Sequence, residues 1–160
     1  MNNQERRRIR LLFSGIVQGV GFRPAIYRIA KEQNLGGFVC NTPEGVVVEV
    51  EGHPRHIEGF VPAVLNNLPP AAEVAAVSQE DLSVRGEQTF QIRSSRDDGD
   101  KDVMISPDLA VCDNCLRELK DPRDRRYRYP FINCTDCGPR LTIIRDVPYD
   151  RGNTSMACFP

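Results

Sequence analysis

The sequence has no surplus of charge of either sign and no long apolar run. Its 160 residues include 21 Lys and Arg against 22 Asp and Glu, so that the formal net charge is −1. Nucleic acids and anionic membranes are bound through a basic excess, which is missing here. No stretch approaches the roughly 20 apolar residues of a membrane span, and the sequence contains no internal repeat. We therefore expect neither nucleic acid nor membrane as a partner.

An export signal and a histidine-based active site are also missing. The basic start Arg6-Arg7-Arg8 precedes apolar residues, but Arg10 and Gln18 interrupt them and no small-residue cleavage site follows. The chain is therefore predicted to be intracellular and cytoplasmic. Both histidines, His53 and His56, flank a predicted helix start without a Cys, Asp or Ser pattern to pair with, so surface positions are expected for them.

The most informative segment that is present is Gly15–Pro24, which reads GIVQGVGFRP between a predicted strand (9–13) and a predicted helix (22–33). The N–H groups at a helix N-terminus have no intrahelical partner, and the helix dipole is positive there, so phosphate is a favoured ligand. Gly19 and Gly21 permit the turn, and Arg23 adds a guanidinium for phosphate oxygens. The predicted phosphate-binding residues are Gln18, Gly19, Val20, Gly21, Phe22 and Arg23.

Other phosphate loops match this segment poorly. A nucleotide P-loop requires Lys and then Ser or Thr after its last glycine, where this chain has Phe22 and Arg23, and a dinucleotide fingerprint requires a third glycine in place of Pro24. An ordinary glycine turn is the alternative that the loop alone leaves open.

A second observation is Asn41, which ends a predicted strand from residue 36 and precedes a hairpin turn and a strand over 46–50.

The remaining pattern predicts two units joined by a linker. A helix over 57–67 and strands over 74–84 and 89–92 complete the order βαββαβ with a final strand, which is typical of an α+β, ferredoxin-like α/β sandwich. Residues 94–103 are polar and charged and form the predicted linker. The domains are thus predicted as 1–93, a linker over 94–103, and a small zinc-ribbon-like unit over 104–160.

The second unit carries the strongest metal signal in the chain. Two Cys-x2-Cys pairs are separated by 18 residues and consist of Cys112, Cys115, Cys134 and Cys137. Two such knuckles at this separation predict one tetrahedral zinc ion, which is structural because four thiolates leave no open position for water. Two disulfides are the alternative, and the missing secretory signal disfavours them.

An arginine-rich run between the two cysteine pairs invites a nucleic-acid interpretation. Asp121 and Asp124 interrupt it, however, and residues 96–160 hold 11 Lys and Arg against 12 Asp and Glu, so the electrostatic surplus for a polyanion is missing. The alternating Tyr127, Tyr129 and Phe131 are predicted instead to form a strand packed beside the metal.

Residues 8–93 resemble the acylphosphatases, through the glycine loop, Arg23 and Asn41. The resemblance implies that Arg23 binds the phosphoryl group together with the loop amides and that Asn41 positions the attacking water; these two residues are the expected catalytic pair. The chemistry is consistent with those roles. An acyl phosphate releases a carboxylate, a good leaving group that needs no general acid, so positioning and charge neutralisation are sufficient.

An acylphosphatase-like unit followed by two cysteine pairs, with YRYPFINCTDCGPR around the second, resembles the hydrogenase maturation carbamoyltransferases of the HypF family. The resemblance implies carbamoyl phosphate as the substrate, a HypE-like maturation protein as the partner of the full-length family, and further domains after Pro160, so that the zinc unit is expected to be truncated. Acyl phosphate hydrolysis is then the expected activity of this chain. A non-catalytic module that binds carbamoyl phosphate and docks other domains is the alternative.

Overall fold

The computed structural model describes residues 6–96, here called the α/β unit, and residues 104–158, here called the cysteine unit. The α/β unit follows the order β1 (Arg7–Ile16), α1 (Phe22–Glu32), β2 (Gly36–Thr42), β3 (Gly45–Gly52), α2 (Pro54–Leu65), β4 (Glu73–Leu82) and β5 (Phe90–Ile92). Its described strands form one sheet in the order β4-β1-β3-β2-β5, in which β5 pairs in parallel with β2 and the other pairs are antiparallel. The predicted ferredoxin-like fold is confirmed.

The core lies between the sheet and the two helices. Strand side chains alternate between the two faces, and those of the helix-covered face meet in facing pairs from β1 and β3: Ile9 with Val50, Leu11 with Val48, and Phe13 with Val46. The helix α1 adds an apolar stripe at helical spacing, made of Phe22, Ile26, Ile29 and Ala30. This packing fixes the start of α1 against the end of β1, where the glycine loop connects them.

The start of α2 differs from the prediction by one turn. The helix begins at Pro54 because His53 caps it, with Nδ1 accepting a hydrogen bond from the N–H of Arg55 at 3.3 Å. Proline suits this first position because its missing N–H would have no helical partner. His53 and His56 are exposed, as predicted.

The opposite face of the sheet carries a buried ion-pair cluster. Arg8 is 2% exposed and donates to Oε2 of Glu49, and Nη2 of Arg10 lies 2.9 Å from Oε1 of the same carboxylate. Burial raises the pKa of Glu49, but the hydrogen bonds from Arg8 and Arg10 outweigh it and hold the pKa below its usual range. Glu49 is therefore ionised in the folded state at neutral pH.

The cysteine unit contains one helix, α3 (Asp113–Lys120), and two short 3-10 turns, Leu141–Ile143 and Arg151–Asn153. An isolated β-bridge joins Ile144 and Thr154. Its small core consists of Cys115, Ile132 and Cys137. A core of this size is too small to keep the unit folded by itself, and small domains of this kind are commonly stabilised by a bound metal ion.

The predicted strand through Tyr127, Tyr129 and Phe131 is wrong. Tyr127 and Phe131 lie in turns, Tyr129 between them has irregular backbone, and all three are exposed, Phe131 by 52%. Arg128 breaks the extended backbone with a φ of 57°, and its N–H donates to the carbonyl of Leu119 at 3.0 Å. The segment therefore folds back on the end of α3.

Part of the predicted linker, residues 97–103, lies outside the described residues. Its earlier residues run beside β2, where the N–H of Arg96 donates to the carbonyl of Asn41 at 2.9 Å. Among the described helices, none combines the length and apolar composition that crossing a bilayer would require.

Candidate active site and cysteine cluster

The glycine loop turns from β1 into α1 through two residues in the left-handed region. The φ angles of Gly19 and Gly21 are 74° and 77°, which glycine adopts without the steric penalty of a Cβ. Gly21 is the N-cap of α1 and provides no side chain to cap it, and the first turn contains no acidic residue. The N–H groups of that turn and the positive end of the helix dipole are thus well placed to bind an anion.

Asn41 lies across the sheet from the end of β1, the strand that leads into the loop. Phe13 pairs with Val46, and Val46 pairs with Asn41, so all three side chains share the helix-covered face. The ring of Phe13 packs at 5.3 Å between centroids against Phe22, the first residue of α1. The Asn41 side chain is therefore directed into the layer where β1, the loop and α1 meet.

The amide of Asn41 is buried and has no hydrogen-bond partner in the part of the chain that the structure describes. The residue is 0% exposed, and within residues 6–96 and 104–158 neither Oδ1 nor Nδ2 has a hydrogen-bond partner. Leaving a buried polar group unsatisfied costs about 1–3 kcal/mol. Such a group in a folded protein points to a ligand or an ordered water, and Asn41 can supply both a donor and an acceptor to it.

Gln18 uses its side chain to hold the loop in place. Its Nε2 donates to the carbonyl groups of Thr42 at 2.8 Å and Gly45 at 2.9 Å. Its Oε1 accepts a hydrogen bond from the N–H of Tyr149 at 2.7 Å. The side chain of Gln18 therefore ties the loop to the β2–β3 hairpin and to the cysteine unit. Gln18 was predicted to bind phosphate, and it can do so only through its backbone N–H.

The cysteine unit covers the loop. A methyl group added at Gly19 would lie 2.6 Å from Cδ1 of Tyr149, and one added at Gly21 would lie 3.2 Å from Cβ of Thr135. Burial raises the pKa of the Tyr149 phenol, so the ring meets the loop in its neutral form at physiological pH. The two units enclose an open pocket of about 290 Å³ whose lining includes Gly19, Arg23, Cys134, Thr135, Tyr149 and Asp150.

Arg23 lies at the start of α1, at the edge of this pocket. Its Nη2 donates to Oδ1 of Asp150 at 3.2 Å, and its side chain is 26% exposed. The guanidinium has five N–H donors, so the pair with Asp150 leaves donors for a phosphoryl group. The structure thus places Arg23 and the turn at Gly19 on one pocket, while Asn41 lies in the buried layer beneath the loop.

The four paired cysteines form one cluster in the cysteine unit. Their Sγ atoms all lie within 4.8 Å of one another, with 3.6 Å between Cys112 and Cys134 and 3.9 Å between Cys115 and Cys137. A zinc ion with sulfur ligands at about 2.3 Å requires S–S separations of about 3.8 Å. The cluster therefore fits a tetrahedral metal ion, and its sulfur atoms are not paired as disulfides.

The surroundings of the cluster shift the pKa values of its thiols in opposite directions. Burial raises the pKa of Cys115 and that of Cys134. Burial acts in the same direction on Cys137, but backbone N–H groups and the guanidinium of Arg140 outweigh it and lower the pKa to about 6. Nη2 of Arg140 lies 3.3 Å from Sγ of Cys137. A cation beside the sulfur atoms offsets part of the negative charge that four thiolates place on a divalent ion.

Comparison with known proteins assigns the α/β unit to a family. The model of the acylphosphatase family matches residues 9–92, more than half of the chain. This chain belongs to the acylphosphatase family. The acylphosphatase of Methanospirillum hungatei JF-1 is 35% identical over 88 residues, a match that covers 54% of this chain and 97% of that protein.

The chain is also similar to much longer proteins. The model of the HypF finger matches residues 111–144, which include all four clustered cysteines. The carbamoyltransferase HypF of Rhizobium leguminosarum bv. viciae is 48% identical over 151 residues, 94% of this chain and 20% of that protein. A crystal structure of full-length HypF in a phosphate- and nucleotide-bound form superposes with a TM-score of 0.85 and 48% identity over 97% of this chain and 20% of that one. The chain thus spans about one fifth of the HypF proteins it matches.

The part of the pocket that comes from the cysteine unit was missed by the sequence analysis. Thr135, Tyr149 and Asp150 line the same pocket as Arg23, yet they stand more than a hundred residues away along the chain. Thr135 lies between the second pair of cysteines, which is its one positional signal. For Tyr149 and Asp150 no motif or spacing in the sequence pointed to the loop.

Proposed function

We propose that the α/β unit hydrolyses acyl phosphates, with carbamoyl phosphate as the substrate suggested by the similarity to HypF. The observation that carries the proposal is the amide of Asn41, fully buried and without a partner among the described residues, on the sheet face that leads into the loop. A site that only bound phosphate would need cations and N–H donors. An amide that can both donate and accept is suited to hold a water molecule.

In this proposal the phosphoryl group lies on the backbone N–H groups of residues 18–23, and Arg23 neutralises its charge. Asn41 orients a water molecule for in-line attack on phosphorus. The bond between phosphorus and the acyl oxygen breaks, so that carbamoyl phosphate gives carbamate and inorganic phosphate. A phosphoryl oxygen of the substrate takes the proton from water, because an amide is not a base at neutral pH. The loop has no carboxylate of its own that would repel the phosphoryl oxygens.

We further propose that the four clustered cysteines hold one structural zinc ion, with the chain divided into residues 1–93, a linker over 94–103 and residues 104–160. The S–S separations fit zinc, and four thiolates leave the ion no position for water, so it stabilises the cysteine unit without entering the reaction. By similarity to HypF, hydrolysis would be the contribution of these residues to a carbamoyl transfer in hydrogenase maturation, with a HypE-like protein as the acceptor.

The test is phosphate release from carbamoyl phosphate and from acetyl phosphate by the purified chain, compared with Arg23→Ala and Asn41→Ala. The wild-type protein should release phosphate, and each variant should lose at least about 100-fold in kcat/KM, the range typical of removing one positioned polar group. His56→Ala is the control, because His56 is exposed and lies in α2 rather than in the loop or its cover. A wild-type rate no higher than that of the two variants would leave a binding module as the only function of the loop.

A further inference from the structure

The arginine of the glycine loop is held by a side chain of the other unit. Nη2 of Arg23 donates to Oδ1 of Asp150 at 3.2 Å, and the two residues are separated by 127 positions in the sequence. Both lie on the pocket that also contains Gly19 and Thr135. Asp150 is therefore the acidic residue of the cysteine unit that contacts the proposed phosphate-binding machinery.

The ion pair is not what attaches the cysteine unit to the loop. The N–H of Tyr149 already donates to Oε1 of the buried Gln18 at 2.7 Å, and the Tyr149 ring covers Gly19. The side chains of Arg23 and Asp150 are 26% and 38% exposed, and a pair this accessible contributes at most about 1 kcal/mol to stability. Its main physical effect is on the geometry of Arg23.

Orientation matters for this side chain because a free arginine is flexible. Its rotamer freedom amounts to about 2 kcal/mol, part of which is lost whenever it binds a ligand. The guanidinium is planar, so a hydrogen bond from Nη2 to a carboxylate restricts the directions in which the other N–H groups can point. Asp150 thus narrows the range of Arg23 orientations before a phosphoryl group arrives.

We propose that Asp150 is a positioning residue for Arg23, so that the phosphate site of the α/β unit is completed by the cysteine unit. The inference rests on the proposed role of Arg23 in phosphate binding. The phosphate site then also depends on the cysteine cluster. Cys134 lines the same pocket as Arg23 and Asp150, so the fold around the four sulfur atoms places the carboxylate that orients the arginine.

The experiment compares Asp150→Asn and Asp150→Glu with Asp81→Asn in the purified chain. Asp81 pairs with Arg7 at 2.8 Å and is 67% exposed on the far part of β4, so its substitution makes the same charge change away from the pocket. The readouts are the Kd of inorganic phosphate by calorimetry, KM and kcat for acetyl phosphate, and the thermal midpoint. Asp150→Asn should weaken phosphate binding and raise KM by roughly fivefold, the largest effect that so exposed a pair can have, with little change in kcat, because Arg23 contacts the phosphoryl group in ground and transition states alike.

Asp150→Glu should recover part of the affinity, and Asp81→Asn should leave it unchanged. The thermal midpoints of Asp150→Asn and Asp81→Asn should be similar, which separates positioning from a structural role. In an Arg23→Ala background, Asp150→Asn should have no further effect on phosphate affinity, because the residue acts only through the arginine.

Three results would overturn the inference. Tighter phosphate binding by Asp150→Asn would show that the carboxylate competes with the ligand, an equal loss in the Arg23→Ala background would show that it acts independently, and unchanged affinity and KM would show that it does nothing. Phosphate binding that responds to Asp150 without any hydrolysis would refute the proposed function and leave this inference standing. A wild-type chain that binds no phosphate would refute both.

Discussion

Replacing Gly19 by alanine tests whether the cysteine unit covers the glycine loop in solution. The added Cβ would lie 2.6 Å from Cδ1 and 2.7 Å from Cε1 of Tyr149, and 3.2 Å from Cδ of Pro139. Carbon atoms pack best at about 3.5–4.0 Å, so the tyrosine ring must move by about 1 Å. That movement strains the hydrogen bond from the N–H of Tyr149 to Oε1 of Gln18.

Two contributions set the expected loss of stability. Alanine at the φ of 74° found for Gly19 costs roughly 1–2 kcal/mol, and overpacking against the Tyr149 ring costs roughly 1–3 kcal/mol. The free energy of unfolding should therefore fall by about 2–5 kcal/mol. Gly86→Ala is the matched control, because Gly86 has a φ of 81° and no heavy atom of residues 6–96 and 104–158 within 4 Å of the added Cβ. It should lose only the backbone contribution.

The assay is chemical denaturation followed by circular dichroism, together with hydrogen exchange of the segment that contains Tyr149. In Gly19→Ala the Tyr149 amide should exchange faster than in the wild type, whereas in Gly86→Ala it should not change. Equal losses of stability in the two variants, with unchanged exchange at Tyr149, would refute the contact between loop and cysteine unit. The role inferred for Asp150 would then lose its structural basis.

Three further predictions concern the buried polar groups and the cysteines. Glu49→Gln should lower the free energy of unfolding by about 3 kcal/mol at pH 7, because it leaves Arg8 buried without its partner. Since the pKa of Glu49 is lowered in the folded state, its contribution is complete above about pH 4.3 and is lost as the pH falls further; the variant should show a weaker acid dependence in pH-resolved melts. Asn41→Leu should raise the free energy of unfolding by about 1 kcal/mol while abolishing phosphate release, since it removes a buried amide that no described residue pairs with; lower stability would contradict this. Elemental analysis should find one zinc per wild-type chain and per Cys158→Ser chain, because Cys158 is exposed and outside the cluster, but little in Cys137→Ser; equal zinc in both variants would rule out the cluster as the site.

Most of the α/β unit was predictable because its signals are local. Apolar residues at strand and helix spacing place β1 and α1, and the turn before Gly45 places the β2–β3 hairpin. The errors occurred where a single residue overrides the pattern. Alternating aromatics suggested a strand near Tyr129, but the left-handed backbone at Arg128 folds that segment into turns.

The candidate site was predictable only in part, because only some of its residues belong to local sequence patterns. The glycine loop with Arg23, the asparagine near the end of a strand and the cysteine pairs are short patterns whose spacing carries the chemistry. The side-chain role of Gln18 was not predictable, because its partners are two carbonyl groups of a hairpin and one N–H of the cysteine unit. Those contacts depend on how separate elements pack.

The sequence by itself determined the fold class, the resemblance to acylphosphatases and the four cysteines, because each depends on periodicity or on residues close together along the chain. Only the tertiary structure decided that the cysteine unit lies over the loop, that the buried amide of Asn41 has no hydrogen-bond partner among the described residues, and that Arg23 meets Asp150. Contacts across 127 positions arise from the packing of two units, and no local spacing encodes them. The pocket that these units share is therefore a property of the folded chain.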